Sequence, residues 1–159
     1  MKRKLIVRYS LFSLLALAIV VIDQWSKIVI EKSFVTGQTK EIIKGILDFT
    51  YIRNEGAAFG IMQGAKIAFI VITLAVFLAS FYYFKKFRPT HPLFLTAASF
   101  ILSGAVGNLI DRVSLGYVRD FIDVAFINYP VFNIADSTIC IGALLIVIYA
   151  FLDFRKSEE

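Results

Sequence analysis

Four runs of apolar residues, each close to the length a bilayer demands, decide what this chain can become. About 20 predominantly apolar residues are needed to cross a hydrocarbon core of roughly 30 Å, and there a helix satisfies its backbone N–H and C=O groups within one segment. The runs lie at about 11–30, 65–84, 93–112 and 131–152. With 58% of its 159 residues hydrophobic and 18% charged, the chain departs from ordinary soluble domains, which are about 45–50% apolar. It is read as a single membrane unit, 1–159: an all-α polytopic protein of four transmembrane helices.

The first run follows Lys2, Arg3, Lys4 and Arg8, which imitates a secretory signal peptide. No A-x-A-like cleavage site follows, and the run continues through Asp23-Gln24-Trp25-Ser26-Lys27 into Ile28-Val29-Ile30, so a retained span is expected. Residues of about 31–64 differ in kind. The stretches Lys40 to Gly45 and Leu47 to Arg53 are short and rich in β-branched or aromatic residues, with Gly37, Gly45, Gly56 and Gly60 as punctuation. They predict a small extracytoplasmic β-sheet on the membrane surface, with Phe49, Tyr51 and Phe59 at headgroup depth. The second run ends in Tyr82-Tyr83-Phe84 before Lys85, Lys86 and Arg88, an interfacial signature. The third carries Ser99, Ser103, Gly104 and Gly107, whose small side chains let another helix come close.

The formal net charge of +5 does not point to nucleic acid, because the bases collect at the ends of the apolar runs. Nine Lys and Arg fall on the side of the two termini and the 85–92 loop, against eight on the other. The nine sit in three very short segments, and that density favours cytoplasmic termini. Asp23 to Lys27, the 31–64 segment, Asn108 to Arg112 and Asn133 to Asp136 then converge on the extracytoplasmic face. The single histidine, His91, falls on the opposite side, which disfavours Ser-His, Cys-His and His-containing zinc sites. The lone cysteine, Cys140, permits no internal disulfide and no CxxC pattern; packing is its expected role. No metal and no cofactor are expected.

The acids Asp120, Asp123 and Asp136 lie among apolar and aromatic residues. At the middle of a membrane helix an Asp costs roughly 2.5–3.5 kcal/mol, so acids in such company are functional candidates. A facing pair cannot ionise twice cheaply and shares one proton, which suits activating water against a peptide carbonyl. Asn133 and Asp136 have the spacing of a capping box, and a helix N-terminus there favours negative charge on Asp136. Asp120 is then the member expected to hold the proton. A proton-coupled transporter and a non-catalytic scaffold are the alternatives.

Five blocks narrow the choice: Asp23 to Lys27; Asn54-Glu55-Gly56-Ala57-Ala58-Phe59; Gly104 to Arg112; Val118-Arg119-Asp120-Phe121; and Phe132-Asn133-Ile134-Ala135-Asp136. In order and spacing, over nearly the whole chain, they resemble the signature blocks of bacterial lipoprotein signal peptidase, signal peptidase II. The resemblance implies an inner-membrane aspartic endopeptidase that cuts prolipoproteins just before a diacylglyceryl-modified cysteine, works among membrane lipids and is inhibited by globomycin-type compounds. By motif, Asp120 and Asp136 match the catalytic pair; register favours Asp120 over Asp123. Asp23, Lys27, Asn54, Gly56, Gly104, Asn108, Arg112, Asn133 and Ala135 match supporting or substrate-binding positions, and 31–64 matches the family's β-cradle. Glu55 stands where Thr is expected, Gly60 where Ser is common, and Arg119 where an apolar residue often precedes the catalytic Asp. Among the supports, Asp23 and Lys27 suit an i,i+4 ion pair, and Asp111 with Arg112 a structural salt bridge.

Overall fold

The computed structural model describes residues 2–56 and 66–158. In chain order they form α1 (Lys2–Ser33), β1 (Thr39–Ile43), β2 (Leu47–Asn54), α2 (Lys66–Phe87), α3 (Pro92–Ser114), β3 (Val118–Val124) and α4 (Ile134–Glu158). All four helices are long and apolar enough to cross a membrane. Their outward faces expose residues such as Leu17, Leu78 and Val147, an arrangement that is harmless where the surrounding solvent is as apolar as leucine.

Helix α3 is central, packing along α4 and α1, while α2 leans chiefly on α3 and has no buried residue of its own. Small residues set the spacing between α3 and α4. A Cβ on Gly104 would collide with the Ala135 carbonyl oxygen, and one on Gly142 would stand 2.9 Å from that of Ala97. The Ser99 hydroxyl, on the other flank of α3, donates to the Phe12 carbonyl of α1 at 3.0 Å.

The three strands make one antiparallel sheet in the order β1-β2-β3. Gly45, at φ 67°, turns β1 into β2, and the Glu41 carboxylate accepts its N–H at 3.1 Å. Strand β3 comes from beyond α3, outside the 31–64 segment where the sequence places the whole sheet. Val118 to Phe121 are buried in succession, so the stretch lacks the apolar-polar alternation that marks a half-exposed strand. Opposite its β2 edge, Phe132 bridges to Ile122 and accepts the N–H groups of Phe121 and Ile122 at 3.0 and 2.7 Å. That return of the chain delivers the start of α4 alongside Asp120.

A small core of Ile30, Tyr51 and Phe121 joins α1 to the sheet, with Phe34, Phe49, Ile122 and Ile134 packed against it. Tyr51 is therefore no interfacial anchor: it is 1% exposed. Its hydroxyl donates to Glu31 Oε1 at 3.3 Å, which lets the ring be buried without stranding its polar end. Phe59, the third expected anchor, lies outside the described residues.

Gly104→Ala tests the helix spacing. The obstructing atom is backbone and cannot swing away, so the variant should lose about 1–3 kcal/mol, typical of an overpacked interface, in reversible unfolding from mixed micelles.

Candidate functional site

At the end of the bundle where α1 and α3 finish and α4 begins, five elements pool their polar side chains: α1, β2, α3, β3 and the start of α4. Lys27, one turn after Asp23 on α1, sets its Nζ 2.9 Å from Asp23 Oδ2 and donates to Asn108 Oδ1 on α3 at 3.0 Å. Both partners of the pair are buried, at 0% exposure. The second oxygen of Asp23 accepts the Ala135 N–H at 2.9 Å, so a carboxylate of α1 serves an unpaired donor of the first turn of α4. Gly107 permits this approach, because a Cβ there would strike the Asp23 carboxylate.

The start of α4 carries the expected capping box. Asn133 Oδ1 accepts the Asp136 N–H at 3.0 Å, and Asp136 Oδ2 accepts the Asn133 N–H at 3.2 Å. The Asn133 side chain, fully buried, also links the two acids: its Nδ2 donates to Asp120 Oδ1 at 2.6 Å and to Asn108 Oδ1 at 3.2 Å. Asn108 Nδ2 in turn donates to Asp136 Oδ1 at 2.7 Å. On the far side of Asp120, Asn54 Nδ2 donates to Oδ2 at 2.8 Å, while Asn54 Oδ1 holds the Gly56 N–H. Asp120 and Asp136 thus share one hydrogen-bond network and line one cavity, together with Asn54, Gly56, Asn108, Arg112, Phe132 and Cys140. Asp123 lies on the other side of the strand, accepting from the Thr50 hydroxyl at 2.7 Å.

Burial dominates the electrostatics of Asp120. Loss of water, reinforced by the negative charge of Asp136, pushes its carboxyl up to about 7, against the pull of the Asn54 and Asn133 donors and of Lys27. Its acid form therefore persists near neutrality. The acids gather at one end of the bundle instead of threading it, which is not the path a proton relay across a membrane needs.

One expectation changes. Asp111 does not pair with Arg112. Its carboxylate takes the Arg119 guanidinium, with Nη2 2.7 Å from Oδ1 and Nε 3.2 Å from Oδ2, and it stands 3.6 Å from Lys27. Arg112 points instead toward the cavity, donates to the Gly56 carbonyl at 3.3 Å and lies 4.5 Å from the ring centroid of Phe69 on α2. Two members of the cluster, Gln24 and Glu31, carried no sequence signal as site residues. Gln24 Nε2 donates to Asp23, the Gly107 carbonyl and Asp111, and Gln24 Oε1 accepts from Arg119. Glu31 Oε2 accepts from Arg119 at 3.0 Å, while the Tyr117 hydroxyl donates to Oε1 at 3.2 Å. Of the block after Asn54, Ala57 to Phe59 lie outside the described residues.

Residues 15–152 match the family model described as signal peptidase (SPase) II. The chain is 42% identical to a lipoprotein signal peptidase of Enterococcus faecalis over 156 residues, covering 98% of this chain and 95% of that one. It is 41% identical to one of Clostridium novyi over 133 residues, covering 82% and 90% respectively. Among solved structures, a bacterial membrane enzyme determined by the in meso method at 2.3 Å superimposes with a TM-score of 0.86 at 38% identity, over 91% of this chain and 90% of that one. A second, at 1.9 Å, gives 0.82 at the same identity, over 89% and 92%.

Lys27→Met would leave Asp23 and Asp111 without the ammonium between them. Removing one partner of a buried pair costs about 3–5 kcal/mol, and unfolding in mixed micelles should register a loss of that size.

Proposed function

The chain belongs to the signal peptidase II family, and from that premise we propose that it removes signal peptides from diacylglyceryl-modified prolipoproteins, cutting just before the lipidated cysteine with Asp120 and Asp136. It is a membrane peptidase. The observation that carries the mechanism is the pair of carboxylates joined through Asn108 and Asn133 at the rim of one cavity. The peptidase has its termini in the cytoplasm and its cavity toward the extracytoplasmic face of a bacterial cell membrane, in keeping with the dense positive charge of its ends.

Asp120 enters the reaction protonated and Asp136 ionised. Asp120 is 2% exposed, and its proton is held to about 7. Asp136 sits in the first turn of α4, where the helix dipole favours an anion. Asp136 takes a proton from water as the water oxygen bonds to the scissile carbonyl carbon, and the Asp120 proton passes to the carbonyl oxygen. The product is a neutral gem-diol, with Asp136 now protonated and Asp120 ionised. Asp136 then delivers its proton to the amide nitrogen, the C–N bond breaks, and a gem-diol hydroxyl returns a proton to Asp120. Each carboxyl ends as it began.

The remaining residues hold this pair or meet the substrate. Asn54, Asn108 and Asn133 fix the carboxyl orientations, Asp23 and Lys27 brace α1 against them, and Gly104 and Ala135 allow α3 and α4 to close. Arg112, beside Gly56 and facing the cavity, suits a contact with substrate backbone carbonyls, because a guanidinium offers several donors in a fixed fork. A globomycin-type inhibitor would occupy the same cavity. The signal helix, as apolar as lipid, approaches from within the bilayer.

Asp120→Asn and Asp136→Asn, each still folded, should lose roughly 10²–10⁴ in kcat on a lipidated prolipoprotein; substantial activity in both would refute the pair. Since Asp120 must carry a proton, wild-type activity should fall as pH rises through about 7. Acyl chains add about 0.8 kcal/mol per buried CH₂, so unlipidated precursor should be a poor substrate, and equal turnover of both forms would remove the lipid from recognition.

A further inference from the structure

Successive side chains of a strand point to opposite faces, and β3 uses this at Arg119 and Asp120. Asp120 turns to the cavity, while Arg119, 5% exposed, turns back toward α1 and α3. Its guanidinium forks onto both oxygens of Asp111, and the Asp111 carboxylate also accepts its backbone N–H at 3.0 Å. Glu31 and Gln24 take two more of its donors. Burial would lower the Arg119 pKa, yet the hydrogen bonds and charges of Asp111 and Glu31 hold it above its usual value.

Four charged residues make the enclosed part of this cluster: Asp23, Lys27, Asp111 and Arg119, all 5% exposed or less. Their formal charges cancel. Glu31 stands at the rim with its side chain 29% exposed, where two tyrosine hydroxyls donate to it. Lys27 is 3.0 Å from Asn108 Oδ1 and 3.6 Å from Asp111 Oδ2, poised between an amide and a carboxylate. While Lys27 donates to Oδ1, Asn108 must present its Nδ2 to Asp136.

We infer that Arg119 is a positioning residue: by neutralising Asp111 it leaves Lys27 on Asn108, and so keeps the Asn108 amide turned to donate to Asp136. This rests on the reading that Asp120 and Asp136 carry out the reaction. Without the guanidinium, the enclosed cluster holds one excess negative charge on Asp111, and the ammonium moves toward it. Asn108 is then held less firmly, and its oxygen can swing toward the Asp136 carboxylate, where it repels.

The test uses purified full-length protein in detergent, with a diacylglyceryl-modified prolipoprotein as substrate. Arg119→Met should lower kcat roughly 10- to 100-fold, the size of effect that misplacing a reacting group brings, with KM changed by no more than about twofold. Adding Asp111→Asn to Arg119→Met removes the excess charge and should restore kcat at least about tenfold over the single variant, a rescue that a purely structural clamp would not give. Full activity of Arg119→Met, or a double variant no better than the single one, overturns the inference. Should Arg119→Met fail to fold, Arg119→Lys decides: it keeps the charge and loses the fork, so kcat within about threefold of wild type supports the charge role, and a larger loss refutes it. Asp120→Asn run alongside separates the two questions, since activity surviving there defeats the carboxylate pair whatever Arg119 does.

Discussion

A charge withdrawn from water must find its counter-charge within a few ångströms, and the end of this bundle is built around that demand. Removing an ammonium or carboxylate from solvent is penalised by several kcal/mol even after relaxation, and only close, well-oriented partners offset it. Asp23 and Lys27 meet the demand within one turn of α1, then spend their remaining hydrogen-bonding capacity on other elements. Asp23 reaches the first turn of α4, and Lys27 reaches Asn108 and Asp111 of α3. Three helices are tied by two side chains. The pair thereby specifies which helices meet and at what depth, a role that lipid-facing leucines, indifferent to rotation about the helix axis, cannot perform.

The same network explains how two carboxylates can be held close while one cavity stays open between them. Asn133 reads the backbone of its own helix with Oδ1 and Asp120 with Nδ2, so the cap of α4 and the orientation of Asp120 are fixed by one amide. Asn108 does the equivalent for Asp136. Each acid is addressed by neutral amide donors, which orient it without adding a full charge at its side. Lys27 and Arg119 remain one layer back, and the cation that lines the cavity itself is Arg112.

The helices and the gathering of the polar blocks at one end of the bundle were legible in the sequence because both rest on local signals: run length and composition for the spans, short motifs in fixed order for the polar residues. The capping box at Asn133 and Asp136 was readable for the same reason. Strand β3 was not, because its pairing with β2 joins residues 47–54 to 118–124 across two helices, and burial on both faces erases the alternation that would betray it. Tyr51 misled because an aromatic ring beside a charged residue reads alike whether it faces headgroups or a small core. Asp111 misled through proximity: Arg112 follows it in sequence, but neighbours on a helix point about 100° apart, and the partner is Arg119 on the strand that follows. Gln24 and Glu31 give no local sign of their bonds to Arg119.

The origin of the cavity walls in the chain carries one more consequence. Asn54, Asn108, Asp120 and Asp136 belong to four different elements, and the last of them lies in the opening turn of the final helix, whose free N–H awaits a carboxylate made more than a hundred residues earlier. A nascent chain emerging from the ribosome can thus insert its first three spans with no paired acids at all. The cavity therefore closes only when the fourth helix docks, because that helix brings both the Asp136 wall and the N–H that Asp23 receives.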